Sequence, residues 1–306
     1  MKTKDVQKCA KINDPWDTYF NERISILFAK RFAKLGLSPN FVTLLSIISG
    51  VSGAVLFVFD KLWLTVAGVL LEILGAIFDC ADGQVARITH KGSRFGRFFD
   101  GFGDSVVYTS IYVCIILRII LHDNVPFTDQ PWSLIALIFV PIAVYLHPRQ
   151  ARLADRYRQV FMFMTRNSKG SELDRYDALA EEYKDVKMNF FQKFIVKTYL
   201  AYTKAQENES EDTTALIKKI DENNGEIPDK IANMYDEHVG LARSCNLLVF
   251  NFRSYILFAL LIVDHFVATD LTVWIFAVLM FVLEPIAITI EYKFEKLARK
   301  ALEEGF

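Results

Sequence analysis

The chain has 306 residues, of which 52% are hydrophobic and 23% charged, and its formal net charge is −1 at pH 7. This composition excludes a disordered chain, and it disfavours a nucleic-acid-binding protein, which would concentrate positive charge in one domain. The hydrophobic residues occur in blocks near 20 residues long, the length at which a helix crosses the roughly 30 Å hydrocarbon core of a bilayer. We therefore expect an all-α integral membrane protein.

Six apolar blocks along the chain predict six transmembrane helices. The blocks cover residues 41–59, 62–80, 105–121, 132–146, 245–266 and 271–290. Ser38, Pro39 and Asn40 mark the turn into the first helix, and the third helix is expected to begin before its apolar block, near Arg94. The fourth block has only 15 residues and contains Pro141, so it spans a membrane only if its helix continues past the apolar part.

The residues before the first block predict a cytoplasmic amphipathic segment, residues 1–40. Within it, residues 16–37 carry apolar side chains at helical spacing, including Ile24, Phe28 and Phe32, with lysine and arginine between them. This pattern favours a helix that lies on the membrane surface. An amphipathic helix packed on the rest of the protein is the alternative.

Residues 149–244 are charged and contain no block long enough to span, so they predict a cytoplasmic helical insertion between the fourth and fifth spans. Within this insertion, residues 188–205 are amphipathic and are expected to lie against the membrane or on the protein core. Residues 207–229 are acidic and polar, and we expect them to be mobile and to tolerate shortening without loss of activity in detergent. The predicted organisation is a surface segment at 1–40, four helices in 41–148, the insertion at 149–244, and two helices with a cytoplasmic tail in 245–306.

The distribution of positive charge predicts the orientation in the membrane. Lysine and arginine number eight before residue 41, four in 81–103, sixteen in 148–244 and four after 291, which is 32 of the 35 in the chain. With six spans, these four segments fall on one side. The positive-inside rule then places both termini in the cytoplasm.

Four carboxylates lie at the predicted cytoplasmic ends of the second and third helices, within residues 79–104. Asp79 and Asp82 are three residues apart and share a helix face, and Asp100 and Asp104 are four apart and share another. Charges at the membrane boundary are unfavourable unless they are paired or bind a metal, and carboxylate oxygens suit Mg²⁺ or Mn²⁺. If the two helices form a hairpin, one or two divalent ions are the simplest partner for these acids. Solvated helix caps and a calcium loop are weaker alternatives.

This stretch reads D-x2-D-G-x2-A-R-x8-G-x3-D-x3-D and resembles the signature of the CDP-alcohol phosphotransferase family. Eight fixed positions match in identity and spacing: Asp79, Asp82, Gly83, Ala86, Arg87, Gly96, Asp100 and Asp104. Residues 38–43 also look like the motif that precedes the first span in this family. The resemblance does not obviously extend over residues 160–240, which look like an insertion.

The resemblance implies a role for each matched residue. Asp79, Asp82 and Asp100 would be the main metal ligands, and Asp104 would lie near a second ion and act as the general base. The CDP part of the donor would be bound by the residues Asp82, Gly83, Ala86, Arg87 and Gly96. The implied reaction is attack of an acceptor alcohol on the lipid-bearing phosphorus of a CDP-linked lipid such as CDP-diacylglycerol, with release of CMP. Members of the family are commonly dimers, which implies a homodimer.

The motif does not identify the acceptor alcohol. Arg149 and Arg152 follow the fourth block and Arg253 lies inside the fifth, and arginine binds phosphate through two parallel hydrogen bonds. These arginines favour a phosphorylated acceptor, such as inositol phosphate or glycerol phosphate. Positive-inside flanks and a snorkelling side chain are the alternative roles of these arginines. Glu284, in the sixth block, is a further buried acid for which Arg253 is one candidate partner.

Two further interpretations stay open. The acceptor could be unphosphorylated, as inositol, serine or an amino alcohol would be. A non-enzymatic carrier of divalent cations could use the same four acids. A carrier should have polar residues along several spans, whereas the polar residues here cluster at one end, which favours the lipid-synthesising transferase.

Overall fold

The computed structural model describes residues 12, 21–122, 133–165, 173–267 and 272–305. Within these ranges every regular element is a helix, which agrees with the predicted all-α fold. The α-helices are α1 Glu22–Lys34, α2 Pro39–Phe57, α3 Leu62–Thr89, α4 Arg94–His122, α5 Ser133–Met164, α6 Tyr176–Tyr183, α7 Phe190–Glu209, α8 Glu211–Glu222, α9 Asp229–Glu237, α10 Val239–Ser244, α11 Phe250–Val263 and α12 Thr272–Glu304. Two short 3-10 helices, Cys245–Leu248 and Asp264–Phe266, flank α11.

Four stretches of the described residues are helical, long and apolar enough to cross a membrane. They are Pro39–Phe57, Leu62–Thr89, Arg94–His122 and Val239–Phe266. They correspond to the first, second, third and fifth predicted spans, and the third helix begins at Arg94 as the sequence predicts. The helix of the fourth block does continue past its apolar part, since α5 has 32 residues, and the sixth block lies on α12, which has 33. Neither of these two helices is among the four, so the count of six spans stays a prediction.

The chain folds into two compact units. The motif unit comprises residues 15–145 and 254–279, and the insertion unit comprises residues 1–14, 146–253 and 280–306. The motif unit therefore contains α1 to α4 with the aspartate motif. The insertion unit contains α6 to α10, together with parts of the longer helices.

In the motif unit, α2 packs closely on α3 because small residues line the crossing. A methyl group added to Gly53 would lie 2.8 Å from the backbone oxygen of Gly68, so a larger residue has no room there. Two hydroxyl groups of α2 also donate hydrogen bonds to backbone oxygens of α3, Ser46 to Gly75 at 3.0 Å and Ser49 to Leu71 at 2.9 Å. This close contact fixes the start of α2 against the end of α3.

Helix α1 covers residues 22–34 of the helix predicted at 16–37, and residues 16–20 lie outside the described residues. It packs on α3, where the ring of Phe28 meets Phe78 edge-on at 5.5 Å and the amide of Gln84 donates to Ser25 at 2.8 Å. These contacts support the protein-packed alternative for one face of α1. Leu27 on another face is 63% exposed, and contact of that face with a membrane stays a prediction.

The expectation that residues 207–229 are mobile is wrong for most of this segment. It contains the end of α7 and helix α8, and Leu216, Ile217 and Ile220 of α8 are buried in the insertion unit. The acidic composition obscures an apolar face at helical spacing. The start of α8 is also held by Glu295 of α12, which accepts a hydrogen bond from the Thr213 hydroxyl at 2.6 Å.

Candidate functional site

The site lies where α3 ends and α4 begins. Helix α3 closes at His90, whose left-handed backbone (φ 54°) lets the chain turn back. Ser93 then starts α4, since its hydroxyl accepts a hydrogen bond from the backbone N–H of Gly96 at 2.9 Å. The two helices form the hairpin on which the predicted convergence of the aspartates depends, and Ser93 caps its second helix.

Three of the four motif aspartates meet at this hairpin. Asp79 and Asp82 of α3 and Asp100 of α4 each offer a carboxylate oxygen, and these oxygens lie within 4.8 Å of one another. Asp82 is buried, with 7% of its surface exposed, and the other two are half-buried. The predicted convergence of acids from two helices is therefore present for these three residues.

The donor set fits a hard divalent cation. Oδ1 of Asp100 is buried and accepts no hydrogen bond from the protein, although a buried carboxylate oxygen normally has a partner. Three carboxylates this close repel one another unless positive charge lies between them. Mg²⁺ and Mn²⁺ prefer oxygen ligands. Either ion would therefore give the Asp100 oxygen a partner and offset the repulsion among the three carboxylates.

Asp104 stands apart from this group of three. It lies one turn after Asp100 on α4, is exposed, and is not among the acids whose oxygens lie within 4.8 Å of one another. This position, beside the cluster and open to solvent, suits a group that exchanges a proton with a substrate, and its role stays a prediction.

Thr43 is a site residue that the sequence analysis did not single out. It lies near the start of α2, is 3% exposed, and donates a hydrogen bond from its hydroxyl to Oδ2 of Asp82. The same hydroxyl lies 3.2 Å from the backbone oxygen of Pro39, one turn earlier. A third helix thus orients the most buried carboxylate of the cluster. The sequence does contain a signal for Thr43, since this residue is the last of the 38–43 motif that precedes the first span.

The residues predicted to bind the CDP group lie on α3 between the aspartates and the turn. Gly83, Ala86 and Arg87 are all partly exposed, whereas their neighbours Gln84 and Val85 are buried. A methyl group added to Gly83 would meet only the guanidinium of Arg87, at 3.6 Å, so packing does not require a glycine there. Open space beside a guanidinium is what close approach of a phosphate needs.

Gly96, the remaining predicted CDP-binding residue, is on α4. A methyl group added there would lie 3.1 Å from the Ser93 hydroxyl and 3.2 Å from the side-chain oxygen of Asn40. The glycine therefore lets the start of α4 lie close to the start of α2. This contact gives Gly96 a packing role, and its contact with CDP stays a prediction.

The three arginines predicted to bind the acceptor belong to the insertion unit, whereas the aspartates belong to the motif unit. Arg149 forms ion pairs with Glu284 and, at 2.8 Å, with Glu291. Glu284 also accepts a hydrogen bond from Gln150 at 2.7 Å. Glu284 is thus paired with Arg149 and Gln150, and not with Arg253 alone, which the sequence offered as one candidate partner.

The other two arginines are also engaged. Arg152 donates to Glu209 from its Nε atom at 2.9 Å. Arg253 is 1% exposed and donates to the backbone oxygen of Leu248. Arg253 therefore does not snorkel to solvent. Whether these arginines bind an acceptor stays a prediction.

Comparison with known proteins supports the family resemblance of the motif. Residues 36–160 match the family model described as CDP-alcohol phosphatidyltransferase. A phosphatidylinositol phosphate synthase of Mycobacterium tuberculosis (strain ATCC 25618 / H37Rv) is 30% identical over 131 residues, which are 42% of this chain and 57% of that protein. An archaetidylinositol phosphate synthase of Pyrococcus horikoshii is 34% identical over 98 residues, or 32% of this chain and 50% of that protein.

An archaetidylinositol phosphate synthase of Aeropyrum pernix is 27% identical over 100 residues, which are 31% of this chain and 50% of that protein. The chain thus spans about half the length of the curated relatives that it matches. No solved structure is significantly similar to it. The matched region contains all eight motif positions and the hairpin that brings the aspartates together. The chain therefore carries a CDP-alcohol phosphatidyltransferase domain in residues 36–160.

Proposed function

We propose that this protein transfers a phosphatidyl-type group from a CDP-linked lipid, such as CDP-diacylglycerol, to a polyol phosphate, with inositol phosphate as the best candidate, and releases CMP. The observation that carries this proposal is the cluster of Asp79, Asp82 and Asp100 on two neighbouring helices, inside a CDP-alcohol phosphatidyltransferase domain. The cluster lies at one end of two apolar helices. A donor bound there can keep its lipid tails in the bilayer.

Each motif residue has a defined task in this reaction. Asp79, Asp82 and Asp100 would hold one or two Mg²⁺ or Mn²⁺ ions, and Asp104 would lie near the second. When bound there, an ion would supply positive charge that neutralises the diphosphate and stabilises the departing CMP. The open surface at Gly83, Ala86 and Arg87, with Asp82 and Gly96 beside it, binds the CDP group.

The chemical step uses Asp104 as the base. Its exposed carboxylate accepts the proton of the acceptor hydroxyl. The hydroxyl oxygen then attacks the phosphorus that bears the lipid, and the bond from that phosphorus to the CMP oxygen breaks. The products are the new phosphodiester lipid and CMP.

The names of the relatives support inositol phosphate as the acceptor. Those proteins are described as synthases of phosphatidylinositol phosphate and of archaetidylinositol phosphate. A phosphorylated acceptor brings about two negative charges to a site already rich in carboxylates, so it requires fixed cations. Arg149, Arg152 and Arg253 are the proposed cations, and at Arg149 and Arg152 the phosphate would compete with carboxylates that these side chains already bind.

The acceptor role of these arginines can be tested by kinetics. In Arg253→Ala and Arg152→Ala, the acceptor KM should rise about tenfold or more while the donor KM hardly changes, because a hydrogen bond to a charged group contributes roughly 1.5–3 kcal/mol. An unchanged acceptor KM in both variants would remove the arginines from the acceptor site. It would also favour an unphosphorylated acceptor such as inositol, serine or an amino alcohol.

The activity itself is tested with the purified full-length protein. Release of CMP from CDP-diacylglycerol is measured with inositol phosphate, glycerol phosphate, inositol, serine and amino alcohols in turn, with Mg²⁺, with Mn²⁺ and with a chelator. We expect turnover only with a divalent ion, and fastest with inositol phosphate. Asp100→Asn should abolish it, whereas Asp185→Asn, at an exposed position outside the motif, should not. Cation uptake by proteoliposomes without CMP release would instead support a carrier.

We also propose that both termini and the aspartate cluster face the cytoplasm and that the protein is a homodimer. The clustering of positive charge in four segments supports this orientation. Labelling of cysteines introduced near each terminus, in sealed vesicles of known orientation, tests the first statement. Light scattering of the protein in detergent, corrected for bound detergent, tests the second.

A further inference from the structure

The beginning of α7 exposes aromatic side chains on the surface of the insertion unit. Phe190 is 91% exposed, and Phe191 and Phe194 are 51% and 50% exposed. The next two residues, Ile195 and Val196, are buried within the unit. Helix α7 therefore has one apolar face that is part of the core and, at its start, a second apolar surface that faces outward.

This surface is held in place at both ends of the helix. Asn189 and Gln192 form a capping box, in which the Asn189 side chain accepts from the N–H of Gln192 at 2.8 Å and the Gln192 side chain accepts from the N–H of Asn189 at 3.1 Å. Further along, Tyr199 donates to Asp174 at 2.9 Å and Gln206 to Asp155 at 3.1 Å. The phenylalanines thus project from a fixed helix, where water would otherwise surround them at an unfavourable free energy.

Positive charge surrounds the same surface. Residues 184–197 contain four lysines and one acidic residue, whereas residues 207–229 contain eight acidic residues and two lysines. Lys193 and Lys197 lie three and seven positions after Phe190, on the same side of the helix, and both are exposed. Exposed phenylalanines among lysines are the combination that binds the surface of an anionic bilayer.

We propose that the start of α7, Phe190, Phe191 and Phe194 with Lys193 and Lys197, docks on the surface of a lipid bilayer that contains anionic phospholipids. The phenylalanine rings insert at the level of the head groups, and the lysine ammonium groups bind lipid phosphates. A bilayer fits this surface better than a protein partner does. The apolar area covers only about two helical turns, and the apolar spans of the same chain hold it beside a membrane at high effective concentration.

This proposal concerns a part of the chain outside the matched domain, which ends at residue 160, and it does not depend on the proposed transferase activity. The sequence left two locations open for residues 188–205, against the membrane or on the protein core, and the proposal assigns a different part of α7 to each. Later residues of α7 lie in the core of the insertion unit. Its first two turns contact the membrane.

The test uses the full-length protein in lipid nanodiscs, with the photoreactive residue p-benzoylphenylalanine in place of Phe190. Because Phe190 is almost fully exposed, the aromatic replacement leaves the core intact. The matched control carries the same residue in place of Lys218, an exposed position on α8 of the same unit. After irradiation, mass spectrometry identifies whether position 190 or 218 has formed an adduct with lipid or with protein. Nanodiscs of phosphatidylcholine alone are compared with nanodiscs that also contain phosphatidylglycerol.

We expect lipid adducts at position 190 and none at position 218. Each lysine near an anionic surface favours docking about fivefold, so the yield at 190 should fall severalfold without phosphatidylglycerol. In the Lys193→Glu, Lys197→Glu double variant the adduct yield at position 190 should fall by a similar factor, whereas Lys218→Glu should leave that yield unchanged. Adducts of position 190 with protein would overturn the proposal and assign the surface to a protein contact. A yield at 190 no higher than at 218, or one indifferent to lipid charge and to both lysines, would also overturn it.

Discussion

Replacing Thr43 with valine should weaken metal activation of the proposed transfer reaction without unfolding the protein. Valine keeps the shape of threonine but loses the hydroxyl that donates to Asp82. Thr43 is 3% and Asp82 7% exposed, so water cannot replace the lost donor. The carboxylate then loses the bond that fixes its direction towards the other two acids of the cluster.

The size of the effect follows from the burial of this bond. A hydrogen bond to a charged group contributes about 1.5–3 kcal/mol, which is roughly 10- to 100-fold in an equilibrium constant. Loss of a side chain that orients a metal ligand typically weakens metal affinity by about the same factor, 10–100-fold. We therefore expect the Mg²⁺ or Mn²⁺ concentration for half-maximal CMP release to rise roughly tenfold or more.

The assay is CMP release at saturating donor and acceptor, titrated with metal. The matched control is Thr89→Val. The Thr89 hydroxyl donates to the backbone oxygen of Val85, one turn earlier in its helix, at 2.8 Å and not to an acid. Thr43→Ser, which keeps the hydroxyl, should restore metal activation towards that of the unaltered protein. A metal titration of Thr43→Val that coincides with that of Thr89→Val would refute the orienting role.

Three further predictions concern the base, the helix crossing and α8. Asp104→Asn should reduce turnover by roughly 10²–10⁴-fold. Donor binding, measured by displacement of a labelled CDP analogue, should survive. Retention of more than about a tenth of the rate would exclude Asp104 as the general base. Gly53→Ala should lower the thermal midpoint in detergent, since overpacking typically costs about 1–3 kcal/mol, whereas Gly101→Ala, which meets nothing within 4 Å, should not. Leu216→Ala should lower stability by roughly 2–5 kcal/mol and expose α8 to protease, and a protease pattern unchanged from that of the parent chain would restore the idea of a mobile segment.

The aspartate site was largely predictable because its signal is local. Spacings of three and four residues put Asp79 with Asp82 and Asp100 with Asp104 on helix faces whatever the rest of the fold does. The turn at Ser93 and the start of α4 at Arg94 likewise follow from short-range capping rules. The apolar character of the first, second, third and fifth blocks is equally a property of composition.

Contacts between residues far apart in the chain could not be read in the same way. Thr43 and Asp82 are 39 positions apart, and only the packing of α2 on α3 through Gly53 and Gly68 brings them together. The pairing of Arg149 with Glu284 spans 135 positions, and nothing in either neighbourhood favours it over the pairing with Arg253 that the sequence suggested. Burial and partner choice depend on this long-range packing.

The composition of the insertion misled the sequence analysis for a related reason. The acidic side chains of residues 207–229 outnumber the apolar ones, yet Leu216 and Ile220 are one turn apart and fully buried. The sequence alone determined the helical fold class, the membrane character and the motif, since each depends on periodicity or on fixed local spacing. Only the tertiary structure decided which carboxylate Thr43 orients, that α8 is packed, and that Phe190 faces outward, because each depends on which surfaces distant helices cover.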